Sequence, residues 1–194
     1  MEEYSEFIQP YEYAMKSIMV KIEALDRDYP IHNIQHRLKK PESILKKLDR
    51  RNLKVDLESA RENLTDIAGL RVTCYFMEDV YVVEELLKRI PEVVILKERD
   101  YIKEPKPNGY RSLHLVVGVP IFYAEDMEYY PVEIQIRTLA MDFWASMEHR
   151  ISYKQSEVRR KSVYTELLSY SDQLIEIEEK MKRLQNIEKM YKIV

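Results

Sequence analysis

The sequence predicts an α/β fold of α+β character: a mixed β-sheet with helices packed on it and long amphipathic helices at both ends. Three observations carry that expectation. Apolar residues recur every three or four positions in the first 25 residues and again after residue 139. Between about 70 and 136 the chain runs instead in short β-branched and aromatic blocks. A helix-length segment separates two of those blocks, Phe76 from Val93, as a crossing between strands of one sheet requires.

Each element has its own signal. Phe7, Tyr11, Met15, Ile18, Ile22 and Leu25 define an amphipathic N-terminal helix, which Pro30 ends. Pro41 opens a second helix over about 41–51. Leu70–Phe76 reads as a buried strand. Asp79 can cap a helix running to about Arg89, with Val83, Leu86 and Leu87 inward. Val93–Lys97, Leu113–Val119 and Val132–Ile136 are further strands, and 103–109 is a loop dense in turn residues. Residues 139–154 form a helix whose packed face is Leu139, Phe143, Met147 and Ile151. A last helix carries Val163, Leu167, Tyr170, Leu174, Ile177, Met181 and Leu184 in a 4-3-4-3 stripe. That stripe suits either packing on its own domain or a coiled-coil seam with the N-terminal helix of another subunit.

Composition narrows the function classes. A chain of 194 residues fits one domain, and 45% hydrophobic residues can fill a core. Only three glycines argue against low-complexity linkers. The formal net charge of −3 gives no field for binding polyanions, so a nucleotide or nucleic-acid site needs a local cluster of Lys and Arg. The single cysteine, Cys74, excludes a disulfide framework and is expected to be buried and inert. No apolar run approaches a membrane span, and Glu2 and Glu3 stand where a signal peptide would carry basic residues. The expected placement is cytoplasmic, with no membrane partner.

Five segments carry candidate chemistry. His36-Arg37-Leu38-Lys39-Lys40, with Lys46 and Lys47 after it, makes a basic patch at a helix start; it is either a phosphate site or a solvated face. Asp66-Ile67-Ala68-Gly69-Leu70-Arg71 places a carboxylate at a strand end, as a Mg²⁺ ligand or a turn cap, and Arg71 as a phosphate clamp. Gly109-Tyr110-Arg111-Ser112-Leu113-His114 offers an aromatic face for base stacking, or simply a packed tyrosine. In Val132–Thr138 the alternation of a strand puts Glu133, Gln135 and Arg137 on one face. Glu133 could then share Mg²⁺ with Asp66 or act as a general base. On the 139–154 helix Asp142, Ser146, His149 and Tyr153 share a face; without a His-Glu-x-x-His spacing His149 is not read as a metal ligand.

In order, these segments read Arg-x-Lys-x-x-x-Ser, Asp-Ile-Ala-Gly-x-Arg, Gly-Tyr-x-Ser-x-His, Glu-Ile-Gln-Ile-Arg-Thr and Trp-Ala-x-x-Glu-His. From about His36 to Lys154 this resembles the synthetase domain of the RelA/SpoT family, and the short length resembles its small alarmone synthetase branch. The resemblance implies a nucleotidyltransferase-like mixed sheet flanked by helices. The whole chain, 1–194, would be one such domain, its core about 36–154, with helical extensions over 1–29 and 158–192. The implied reaction is GTP/GDP pyrophosphokinase: ATP gives its β,γ-pyrophosphate to the 3′-hydroxyl of GDP or GTP, making ppGpp or pppGpp and AMP, without hydrolysis of the product. Arg37, Lys39, Ser43 and Arg71 would hold ATP; Asp66 and Glu133 would be catalytic and would bind Mg²⁺. Lys46, Tyr110, Arg111, His114, Gln135, Arg137 and His149 would line the GDP/GTP acceptor, with Tyr110 stacked on guanine. The implied assembly is a homotetramer through the terminal helices. Some members of the branch are activated by their product through a Phe and a Thr just before the Arg-x-Lys motif; Asn33 and Gln35 stand there instead, so such activation is not expected. Two other readings compete: a silent RNA- or nucleotide-binding module, which the Asp66–Glu133 pair opposes, and a general nucleotidyltransferase, whose Gly-Ser and Asp-x-Asp signature is missing.

Overall fold

The computed structural model describes residues 2–25, 31–152 and 162–191. Along the chain these form α1 (Glu2–Leu25), β1 (Ile31–Leu38), α2 (Pro41–Arg50), α3 (Leu57–Asn63), β2 (Ala68–Cys74), α4 (Met77–Lys88), β3 (Val94–Asp100), β4 (Leu113–Phe122), β5 (Met127–Thr138), α5 (Leu139–Ser152) and α6 (Tyr164–Tyr191). The strands make one mixed sheet in the order β1-β2-β5-β4-β3. Only β2 and β5 run parallel; the other three pairs are antiparallel. Among the described residues no helix is long and apolar enough to cross a membrane.

One face of the sheet is the core. Leu70, Val72, Leu113, Leu115, Ile134 and Ile136 share a single buried cluster with Tyr11, Met15, Ile18 and Ile22 of α1 and Val80, Val83 and Leu87 of α4. Burying the four α1 side chains contributes about 1.5–3 kcal/mol for each of the aliphatic ones. The expectation that the N-terminal stripe serves another subunit is therefore corrected: α1 spends that stripe on its own sheet. Cys74 is fully buried, and burial pushes its thiol pKa up to about 12.

Several expected elements shift. The strand read at 70–76 occupies 68–74, and Phe76 instead precedes α4. Asp79 is not the cap itself; it sits in the first turn and accepts from the Phe76 backbone N–H at 3.0 Å. The sequence reading misses β1 and α3 outright. β1 is an edge strand with His32, Asn33, Gln35, His36 and Arg37 all exposed, so it lacks the apolar signal a strand needs. The basic cluster thus begins on a strand, not before a helix.

Of the two C-terminal helices, α5 holds the largest correction. Leu139, Phe143, Met147 and Ile151 do not pack inward; they are 40–58% exposed. Met141 and Trp144 are the buried residues of α5. On α6, Leu167 is buried, but Tyr170, Ile177, Met181 and Leu184 are exposed. The side of α6 that meets the domain mixes the apolar Leu167 and Ile175 with polar groups. Ser171 donates to the Gly109 carbonyl, Glu178 accepts from the Met77 N–H, and Lys182 pairs with Glu78. Tyr153, Lys154 and the start of the C-terminal extension lie outside the described residues.

Candidate active site

Because α1 and α4 share one side of the sheet, its other side is left to polar residues. Direct cross-strand pairing arranges them in rows. One row runs Arg37, Gly69, Glu133, Val116 and Lys97 across all five strands. The next runs Gln35, Arg71, Gln135, His114 and Arg99. The alternation read in β5 is borne out: Glu133, Gln135 and Arg137 face this side while Val132, Ile134 and Ile136 are buried. The candidate chemistry therefore lies largely on a sheet face, with Asp66 at the end of β2 where it was expected.

Two cavities open on this face. A cleft of about 160 Å³ is lined by Gln35, Arg37, Gly69, Arg71, Glu133 and Gln135, among others. A second, of about 310 Å³, is lined by Lys47, Arg51, Asp66, Lys97, Arg99, Tyr101, His114 and Glu133. Glu133 borders both. Four cations thus surround two carboxylates in the larger one, a field suited to several phosphates.

Asp66 stands just before β2, and the Lys39 N–H donates to the Ile67 carbonyl at 2.8 Å, which brings the end of β1 beside it. Lys39 and Lys47 both donate to Asp66 Oδ2, each at 2.5 Å. Its other oxygen, Oδ1, is buried with no partner. Burial pushes the Asp66 carboxyl up, but the two lysine hydrogen bonds outweigh it and hold the pKa below its ordinary value. Lys39 shifts down, chiefly because burial penalises its charge.

A closed hydrogen-bond circuit occupies the other end. Arg137 Nη2 donates to the Tyr110 hydroxyl at 2.7 Å and to Gln135 Oε1 at 2.9 Å. Gln135 Nε2 donates to Glu133 Oε2 at 3.0 Å. Since the Tyr110 oxygen accepts from Arg137, its own proton goes to His114 Nε2, 2.8 Å away. That leaves His114 Nδ1, 3.7 Å from Glu133 Oε1, as the N–H facing the carboxylate. Burial pushes the Glu133 carboxyl up, and the bonds from His114 and Gln135 bring it net below its ordinary value. Lys106 lies over the rings of both Tyr101 and Tyr110, 4.7 and 4.6 Å from their centroids. Arg71 pairs with Asp142 at 3.2 Å and keeps a buried Nε without a partner.

The structure brings Arg37, Lys39, Asp66, Arg71, Tyr110, His114, Glu133, Gln135 and Arg137 to this one face. It leaves others aside. Lys46 is exposed, and its neighbour Lys47 reaches the cavity, because Ile44 and Leu48 fix which side of α2 faces in. Arg111 is turned to the Ile102 carbonyl and Asp172 instead of the cluster. His149 is exposed and lines neither cavity. Ser43 is exposed in the first turn of α2, one helical turn before Lys47. Sequence reasoning missed Arg51, Lys97, Arg99, Tyr101 and Lys106. Extending β3 beyond Lys97 would have placed Lys97 and Arg99 on one face by alternation.

Comparison with known proteins agrees with this geometry. A family model described as a region found in RelA/SpoT proteins matches residues 36–158. GTP pyrophosphokinase YwaC of Bacillus subtilis is 38% identical over 188 residues, covering 93% of this chain and 90% of that protein. GTP pyrophosphokinase YjbM of the same organism is 35% identical, covering 94% and 89%. Among solved structures, small alarmone synthetase 1 of B. subtilis, bound to its product pppGpp, superposes with a TM-score of 0.85 at 33% identity, covering 98% of this chain and 100% of that one. Small alarmone synthetase 2 of B. subtilis gives 0.81 at 37% identity, covering 96% and 99%.

Proposed function

This chain belongs to the RelA/SpoT family, and from that premise we propose how its residues carry out the work of a GTP pyrophosphokinase. The enzyme transfers the β,γ-pyrophosphate of ATP to the 3′-hydroxyl of GDP or GTP, leaving AMP and ppGpp or pppGpp. The observation that carries the reading is the shared cavity in which Asp66 and Glu133 face Lys47, Arg51, Lys97 and Arg99.

ATP lies across the β1–β2 side. Arg37 and Arg71 border the smaller cleft, and the unpartnered Arg71 Nε is a donor awaiting an anion. Lys39, with Ser43 at the start of α2, meets the phosphates beside Asp66. The acceptor lies at the other end, its guanine on Tyr110, with Lys106 placed for its 5′-phosphates. His114, Gln135 and Arg137 fix the tyrosine and Glu133 between the two nucleotides.

Asp66 and Glu133 fit a hard divalent cation. One Asp66 oxygen is buried without a partner, and two carboxylates suit Mg²⁺, which completes its shell with water and phosphate oxygens. When bound, that ion neutralises charge on the transferring phosphates. Glu133, held ionised, accepts a hydrogen bond from the acceptor 3′-hydroxyl and orients it. The 3′-oxygen attacks the β-phosphorus; the bond from that phosphorus to the α,β-bridging oxygen breaks, and AMP leaves with it. With a loose transition state the hydroxyl proton departs late, so a weakly basic carboxylate suffices to take it and pass it to water. The basic ring supplies the remaining stabilisation of developing charge.

The exposed stripe of α6, with Phe143, Met147 and Ile151 of α5, supports a homotetramer built on the C-terminal helices. The catalytic unit is about 36–154, and a cytoplasmic location suits an enzyme that draws on ATP and GDP or GTP. The test is incubation of the protein with Mg²⁺, labelled ATP and GDP or GTP, followed by separation of products. Labelled guanosine tetra- or pentaphosphate is expected; AMP formation without it rejects the assignment.

A further inference from the structure

The loop between β3 and β4 is not held by the sheet alone. Gly109 has φ +89, and a Cβ there would come within 2.8 Å of the Leu168 Cα and 2.9 Å of the Ser171 Cβ. The loop backbone therefore lies directly against α6. Two consecutive α6 residues fasten it on both sides of Tyr110. Ser171, 4% exposed, donates its hydroxyl to the Gly109 carbonyl at 2.7 Å. Asp172 accepts from Arg111 Nη2 at 2.7 Å, while Arg111 Nη1 ties back to the Ile102 carbonyl at the loop's start. A third contact comes from α5: Trp144 donates to the Leu167 carbonyl at 2.8 Å and places its ring 6.4 Å from that of Tyr110. With both neighbours tied to α6, Tyr110 directs its hydroxyl to Arg137 and His114.

We propose that Ser171 and Asp172 are positioning residues for the acceptor nucleotide, acting through Gly109 and Arg111 on the tyrosine between them. The proposal rests on the reading of Tyr110 as the acceptor's stacking platform. Helix α6 then does more than cover the domain: its polar side sets the geometry of the acceptor subsite. The ATP side has no such dependence, because Arg37 and Arg71 are carried by β1 and β2. A buried hydroxyl lost from a backbone carbonyl, and a half-exposed ion pair lost at its rim, define the expected sizes.

The experiment measures KM for GDP, KM for ATP, kcat and Tm in the full chain for Ser171→Ala, Asp172→Ala and Asp172→Glu, with Tyr110→Ala alongside. Expected are a rise in GDP KM of about fivefold for Ser171→Ala and about two- to threefold for Asp172→Ala. ATP KM should stay within about twofold, and Asp172→Glu should restore the GDP KM. A parallel rise in both KM values, or a fall in kcat with neither KM moved, marks a general structural role and overturns the proposal. If Tyr110→Ala raises the GDP KM and the α6 variants do not, the proposal fails and the acceptor reading stands. If Tyr110→Ala leaves the GDP KM unmoved, the acceptor reading fails and takes the proposal with it.

Discussion

Glu133 stands directly across the parallel β2–β5 pair from Gly69, so its carboxylate borders a position that carries no side chain. A Cβ at Gly69 would meet only ordinary contacts, the nearest being the Glu133 carbonyl at 3.6 Å and Arg37 Cγ at 3.8 Å. Gly69→Ala should therefore keep near-normal activity and gain about 0.5–1 kcal/mol in stability, the usual cost of a strand glycine. Gly69→Leu reaches into the cleft of about 160 Å³ and should raise ATP KM at least about tenfold with Tm unchanged. Steady-state kinetics and a melting curve on both variants decide it; equal activity in the two would show that the cleft does not hold ATP.

Removing either carboxylate should stop catalysis while sparing the fold. Asp66→Asn and Glu133→Gln are each expected to lower kcat by about 10²–10³ or more, the scale of losing one well-placed charge-stabilising group. Near-full turnover in either variant removes that residue from the mechanism.

The same two groups make a pH prediction. Both carboxyls are held below their ordinary values of 3.8 and 4.5 in the folded protein, Asp66 by Lys39 and Lys47 against burial, Glu133 by His114 and Gln135 against burial. Their unfolded forms bind protons first as pH falls. The stability they confer is complete above those ordinary values and is lost as pH drops through the lower folded ones. Melting curves should show wild type and Asp66→Asn differing most above the ordinary carboxylate range and converging as pH falls through the lowered folded-state pKa. A difference that grows on acidification would contradict the sign.

Tyr110 separates stacking from hydrogen bonding. Tyr110→Phe keeps the ring and loses the bonds with Arg137 and His114. Stacking contributes about 1–3 kcal/mol per base, so Tyr110→Ala should raise acceptor KM about 5- to 150-fold, and Tyr110→Phe by a smaller factor. Initial rates with GDP varied at saturating ATP measure both.

The seam on α6 predicts the assembly. Ile177→Glu and Met181→Glu place charge on side chains that are 52% and 59% exposed in the single chain. Light scattering should show a tetramer for the wild type and a smaller species for the variants. An unchanged mass would move the interface elsewhere. Product activation is not expected either, with Asn33 and Gln35 on β1: initial rates should show no lag, and added pppGpp should leave them unchanged. A several-fold rise would reverse that expectation.

Periodicity made β5 legible, because alternation is a local property: Glu133, Gln135 and Arg137 could be assigned one face from spacing alone. Asp66 was likewise legible as a carboxylate just before a buried strand, and Arg71 as a cation within it. Spacing is silent about which strands become neighbours, so the pairing of β2 with β5 that unites the two carboxylates could not be read. Nor could Lys47 be told from Lys46, since that choice depends on how Ile44 and Leu48 roll α2. On α5 the periodic apolar residues were real but their destination was misjudged, whereas on α6 the exposed stripe is one of the two readings its spacing allowed. Ser171, Glu178 and Lys182 show that a helix can dock by its polar side when the loop and helix ends beneath it supply carbonyls, N–H groups and charge.

The parallel pairing of β2 with β5 also has a consequence for biosynthesis. All of α4, β3 and β4 lie between the two strands in the chain, and α6 follows them. A nascent polypeptide thus displays Arg37, Lys39 and Asp66 long before Glu133 leaves the ribosome, and it acquires the helix behind Tyr110 later still. A chain that stops before β5 lacks Glu133 altogether, and one that stops before α6 lacks the Ser171 and Asp172 contacts to the loop that carries Tyr110.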